Sequence, residues 1–169
     1  MGKLLWQPSK ELIKRANMTR FIDFVNEKYN LEISSYAQLY SWSIENISNF
    51  WAAMWEFGEI RASRTYDRVV DNLGQFLGAR WFVGARLNFA ENLLRYRDKH
   101  LAFIFKGETQ KSAKMNYAEV YNSAASLAKS LHEIGVAPGD RVCAYMPNLM
   151  ETAIAMLAAT SVGATWASC

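Results

Sequence analysis

Cysteine, histidine and proline are scarce here, with two, two and three residues among 169. Two cysteines, Cys143 and Cys169, cannot build the disulfide framework of a small secreted domain, and the usage fits a reducing, cytoplasmic setting. Three prolines and no Gly/Ser or Gln/Asn tract exclude long disorder. His100 follows Asp98 and Lys99 in a charged connector, and His132 falls on the exposed side of a helical pattern. Both read as solvated residues, not as bases or ligands. No group of His, Cys, Asp and Glu has metal-ligand spacing. The motifs G-x-x-x-x-G-K-[ST], G-x-G-x-x-G, G-x-S-x-G and C-x-x-C are all missing.

Charge is also thin. Nineteen basic and 16 acidic residues leave a formal net charge of +3, and no basic run exceeds Lys14-Arg15. A nucleic-acid footprint needs a clustered basic stripe, so that partner is excluded. No signal peptide is visible, because Leu4-Leu5-Trp6 is too short an apolar core and Gln7-Pro8 follows at once. Met1-Gly2 opens like a myristoylation motif, but Trp6 stands where Ser or Thr is required. Residues 152–169 carry no charge and reach the minimum length of a membrane span. Thr152, Thr160, Ser161 and Thr165 make the run too polar, and Gly163 divides it. A buried helix feeding a buried strand is the better reading, and no membrane contact is expected.

What the chain does hold is aromatic and apolar. Hydrophobic residues make up 51% and aromatic residues 14%. Phe21, Phe24, Val25 and Tyr29 recur at helical spacing over 18–29. A short helix is expected over 36–42. Another starts near Glu45 with Ile47, Phe50, Trp51, Met54 and Trp55 on one face, and Gly58 stops it. These aromatics read as a docking stripe and not as a cofactor wall. Residues 59–87 read as loop with at most a short strand, and 81–84 as an aromatic turn. Asn88 with Glu91 forms a capping box, in which each side chain satisfies the other residue's orphan backbone donor.

The pattern changes after His100. Residues 101–105 and 111–115 predict a hairpin around Lys106-Gly107-Glu108. Asn116 with Glu119 repeats the capping box, and Val120, Ala124, Leu127, Leu131 and Ile134 mark a helix that Gly135 stops. A turn at Pro138-Gly139-Asp140 leads into a strand over 141–146, which buries Cys143. Asn148 with Glu151 reads as a third capping box, opening an alanine-rich helix over 149–162. Gly163 ends that helix and 164–169 is extended again. Strand, helix and strand on short joints predict a parallel βαβ unit. The cap positions account for Glu91, Glu119 and Glu151 without catalysis. Arg141 is a phosphate candidate or a strand-edge residue beside Asp140. Pro147-Asn148, Trp166, Ser168 and Cys169 fall at the carboxyl ends of the two strands, where open α/β sheets bind ligands.

The run from Pro138 to Asn148, with the alanine-rich helix and Gly163-Ala164, resembles the early sheet of adenylate-forming enzymes. Ser41 to Glu45, Phe50-Trp51 and the run from Trp81 to Leu94 resemble the N-terminal extension of short-chain acyl-CoA synthetases. Arg86-Leu87-Asn88-Phe89-Ala90-Glu91-Asn92-Leu93-Leu94, with Trp6 and Pro8, is closest to the acetoacetyl-CoA synthetase branch. The likeness runs from about Trp6 to Cys169.

This resemblance implies an α/β fold: a helical extension over 1–98, then over 99–169 the first βαβ portion of an AMP-binding domain, its sheet incomplete. It implies a ligase that uses ATP, Mg2+ and CoA to convert acetoacetate to acetoacetyl-CoA through an acyl-adenylate. In that family the phosphate loop, nucleotide-binding segments and catalytic lysine lie downstream of the stretch matched here. The fragment is therefore expected to hold no catalytic residue, to be inactive alone and to bind none of these cofactors tightly. Ser168 and Cys169 stand at the edge of the CoA site. Expected partners are small-molecule substrates and the remainder of the fragment's own chain, and the open sheet favours self-association. Two other readings stay open: an acetyl- or propionyl-CoA synthetase, and a non-catalytic interaction domain built on the aromatic helices.

Overall fold

In a computed structural model, residues 5–108 and 112–169 are described. Thirteen elements follow in chain order: α1 Lys10–Arg15, α2 Asn17–Tyr29, α3 Tyr36–Glu45, α4 Ile47–Phe57, β1 Arg68–Val70, β2 Trp81–Val83, α5 Phe89–Leu93, β3 Leu101–Phe105, β4 Ala113–Asn116, α6 Tyr117–Glu133, β5 Arg141–Ala144, α7 Met150–Ser161 and β6 Thr165–Ser168. The readings made on Met1, Gly2, Leu4 and Lys111 lie outside the described residues. The chain divides into two compact units, Met1–Ile60 with Tyr66–Gly84, and Arg61–Thr65 with Ala85–Cys169.

The first unit is held by a core of Phe21, Val25, Ile33, Leu39 and Ala53. Phe21 and Val25 stand four apart on α2, so they share its inner face. Phe21 meets the ring of Phe57 edge-on at 5.1 Å and that of Phe50 at 5.9 Å, the favoured geometry for aromatic pairs. Asn26 fastens the chain after α2 by donating to the Ile33 carbonyl at 2.8 Å and accepting its N–H at 2.9 Å.

Several sequence expectations need correction here. α3 runs on to Glu45, three residues beyond the expected end, and α1 carried too little periodicity to be noticed. The aromatic stripe of α4 is split in two. Phe50 and Met54 pack on the core, whereas Trp55 meets Tyr66 and Phe82 at 5.2 and 4.8 Å and Trp51 leans on Trp81. Residues are set 100° apart around a helix, so 50 and 54 lie on a different strip from 51 and 55. Gly58 ends α4 in right-handed conformation, φ −74°; its lack of a side chain matters sterically, because a Cβ there would lie 2.9 Å from the Met54 carbonyl. The expected aromatic turn is strand β2, antiparallel to β1. Phe82 within it has φ +47°, a conformation a bulky residue keeps only when packing holds it.

Asp71 and Arg80 clasp the loop between β1 and β2. The Arg80 N–H and Nε donate to the two carboxylate oxygens at 2.9 and 2.7 Å, and the Asp71 N–H donates to the Arg80 carbonyl at 3.1 Å. These bonds, the side-chain bond from Arg80 first, hold the Asp71 carboxyl below the ordinary carboxylate value.

In the second unit, Ala90, Leu94, Val120, Ala124 and Leu157 form the core. β3 and β4 make the expected hairpin. Asn116 opens α6 with both arms of the capping box: its Oδ1 accepts the Glu119 N–H at 2.9 Å, and Glu119 Oε2 accepts the Asn116 N–H at 2.8 Å. Ile134, assigned to the apolar face of α6, is 77% exposed at its C-cap. β5 and β6 pair in parallel, Arg141 with Thr165 through Ala144 with Ser168. α6 and α7 pack together and α7 packs on β6. The expected fold class stands, and among the described residues there are three small sheets of two strands each.

Two predictions follow from these contacts. Asn116→Ala should cost roughly 1 kcal/mol and lower Tm by about 2–4 °C for a chain of this size, read by calorimetry. The Asp71 contribution is present above its unfolded-state value of 3.8 and is lost as pH falls through the lower folded-state value. The Arg80 Nε resonance should therefore titrate with a midpoint below 3.8, and Asp71→Asn should abolish that titration. A midpoint at or above the ordinary value contradicts the clasp.

Candidate functional site

The ends of β5 and β6 come together as the sequence predicted. Ser168 lies beside Ala144, and the Cys169 N–H donates to the Ala144 carbonyl at 3.2 Å. Both side chains are exposed, and Cys169 is a free thiol. The loop 145–149 leaves the same end of the pair. A hollow of about 480 Å³, lined by Phe103, Phe105, Lys106, Asn148, Leu149 and Met150 among others, lies between β3 and the start of α7.

The junction on the other side of α7 is tightly built. Gly163 has φ +84°, and an added Cβ would stand 3.1 Å from the Pro138 Cβ. The Gly139 N–H donates to the Gly163 carbonyl at 3.0 Å, and the Thr165 N–H to the Asp140 carbonyl at 2.7 Å. The Asp140 carboxylate accepts the Ala137 N–H at 2.8 Å. Ala158 and Ala159 are fully buried, so the small residues of α7 do permit close approach.

Other expectations fail against the geometry. Cys143 is exposed, not buried, because alternate residues of a strand face opposite ways and Val142 and Ala144 take the covered side. The strand stops at Ala144, and Tyr145 is 94% exposed. Asn148 and Glu151 make no capping box. The N-cap of α7 is Leu149, which has no side-chain cap, so the helix starts one residue later than expected; the Pro147 carbonyl accepts the Leu149 N–H at 2.9 Å and the Thr152 hydroxyl at 2.7 Å. Of the box at Asn88, only the bond from the Glu91 N–H to Asn88 Oδ1 is present. Arg141 stands at the amino end of β5, paired with Thr165, so it shares no site with Ser168 and Cys169. Trp166 is half-buried one residue before Ala167.

His100 Nδ1 lies 3.0 Å from Asp98. The His100 backbone N–H, ahead of its ring, holds the Asp98 carboxyl below its ordinary value. Among the described residues, no group of three or more His, Cys, Asp or Glu could hold a metal ion, and no helix is long and apolar enough to cross a membrane.

Sequence reasoning missed two asparagine bridges. Asn92 donates to the Arg61 carbonyl and accepts the Arg61 N–H, both at 2.9 Å. Asn88 Nδ2 donates to the Thr160 and Ser161 carbonyls at 2.9 and 3.3 Å. Each joins residues 31 or more apart in the chain, and no local pattern reports such a contact.

Residues 36–93 match the family described as acetyl-coenzyme A synthetase N-terminus, and residues 89–169 that of the AMP-binding enzymes. The acetoacetyl-coenzyme A synthetase of Rhizobium meliloti is 39% identical over 98% of this chain. That of Xenopus tropicalis is 37% identical over 99%. The solved acetoacetyl-CoA synthetase of Streptomyces lividans superposes on 99% of the chain with a TM-score of 0.87 at 38% identity.

Over nearly its whole length the chain is similar to acetoacetyl-CoA synthetases. It spans 25% of the length of these two relatives and 26% of the solved structure. Within the family stretch, the α7–β6 junction depends on one glycine. Gly163→Ala forces a side chain into left-handed φ and against Pro138, at a cost of roughly 1–3 kcal/mol; urea titration should show the lowered midpoint, and an unchanged midpoint would contradict the geometry.

Proposed function

We propose that this stretch serves an ATP-dependent acetoacetate–CoA ligase. The observation supporting this most strongly is the 39% identity across 98% of the chain with an acetoacetyl-CoA synthetase. The proposed reaction has two steps. An acetoacetate oxygen attacks the α-phosphorus of ATP, the bond to pyrophosphate breaks, and a mixed anhydride with AMP forms. The CoA thiol then gives up its proton and attacks the activated carbonyl, and AMP leaves as the thioester forms. Adenylation supplies the leaving group that a free carboxylate lacks, and Mg2+, when bound, offsets phosphate charge.

In this reading, residues 1–98 form the helical extension and 99–169 begin the AMP-binding domain. Ser168 and Cys169, at the end of β6, form an edge of the CoA site. No residue of the stretch performs either chemical step; it supplies the scaffold, in a cytoplasmic enzyme, and its partner is the rest of the same polypeptide. The exposed residues Cys143, Tyr145 and Ala167 give that partner a surface to cover, since parallel strands are normally covered on both faces. Left bare, the same surface favours association between copies.

A second reading, an acetyl-CoA synthetase, draws support from the acetyl-coenzyme A synthetase N-terminus match over 36–93. ATP–pyrophosphate exchange distinguishes the two. The 169-residue chain should show no acetoacetate-dependent exchange, and a polypeptide that also carries the relatives' remaining length should exchange faster with acetoacetate than with acetate. Exchange by the short chain overturns the scaffold role, and an acetate preference favours the second reading.

A further inference from the structure

We propose that Asn88 is a positioning residue that sets where β6 ends. Its side chain performs two tasks with opposite polarity. Oδ1 accepts the Glu91 N–H at 3.0 Å and starts α5. Nδ2 donates to the Thr160 and Ser161 carbonyls at 2.9 and 3.3 Å, the last two residues of α7. A side-chain amide offers its acceptor and its two donor hydrogens on separate atoms of one short stem, so both tasks can be met at once.

The second task adds a side-chain donor at the last carbonyls of α7, of which that of Thr160 also accepts the Gly163 N–H at 3.1 Å. It fixes the end of α7 against α5 across 72 residues of sequence. From the other side, the Pro138–Asp140 turn holds Gly163 and Thr165 through the Gly139–Gly163 and Thr165–Asp140 hydrogen bonds. Three residues after Thr165, β6 ends at Ser168. A strand this short has few ladder bonds of its own with which to hold its register, and a slip of one residue would turn every side chain to the other face. Asn88 and the Pro138 turn together form a bracket on the α7–β6 junction, and the bracket determines where Ser168 and Cys169 stand. Its link to catalysis rests on the CoA-edge reading given above.

Asn88→Ser isolates the bridge. Serine remains a good N-cap for α5, but its hydroxyl lacks the reach and the donor pair of the amide. Amide hydrogen exchange on the 169-residue chain should show Ala164, Thr165 and Cys169 exchanging about tenfold faster in Asn88→Ser, the scale set by a lost hydrogen bond, with Leu94 at the C-cap of α5 and the interior of α6 unchanged. Unchanged rates at the three reporters overturn the proposal. So does uniform acceleration that includes α6, because it would make Asn88 a general stability residue. In a polypeptide carrying the full family length, Asn88→Ser should raise KM for CoA and leave acetoacetate-dependent pyrophosphate exchange near its original rate. Faster local exchange with an unaltered KM for CoA would leave the bracket in place and overturn the CoA-edge reading instead.

Discussion

Parallel pairing of β5 with β6 is the constraint from which the second unit follows. Two parallel strands cannot be joined by a tight turn, so a helix must carry the chain back. That helix is α7, and its return has to be abrupt. Gly163 supplies the left-handed turn, and Pro138 fills the space that any other residue's Cβ would need. The buried alanines of α7 allow the helix to lie close to its neighbours. The sequence of this region is thus dictated less by chemistry than by the geometry of one crossover.

The pair is covered on one side only, and there in part, since Ser168 on that side is exposed. Val142, Ala144 and Trp166 are half-buried, while Arg141, Cys143, Thr165, Ala167 and Cys169 are exposed. A parallel sheet in that condition is unusual. It fits a stretch that spans a quarter of the length of its relatives. Asn26, Asn88 and Asn92 each bind backbone groups through both the oxygen and the nitrogen of the side-chain amide.

Much of this was legible in the residues. The Asn116–Glu119 box, the glycine stops at 135 and 163 and the βαβ pattern are local signals, and each is present in the structure. The misreadings share a cause. Asn148 and Glu151 have capping-box spacing, but the helix starts one residue later, at Met150, with Leu149 as its N-cap. Cys143 sits in an apolar run, yet strand alternation turns it to the bare face. Trp51 and Phe50 are neighbours in sequence and face different surroundings. In every case composition was right and placement was not, because residue type alone does not say which face a side chain takes or at which residue a helix starts.

The proposed scaffold role requires that the bare face of β5 and β6 be an interior surface in a polypeptide of the relatives' full length. The measurement that tests it most directly is the rate of thiol alkylation at Cys143, followed by mass spectrometry. In the 169-residue chain Cys143 is an exposed free thiol and should label at the rate of an unhindered cysteine. In a polypeptide carrying the full family length it should be strongly protected under native conditions. Equal, rapid labelling in both would mean that the face stays open and that the sheet is not completed by the rest of the chain.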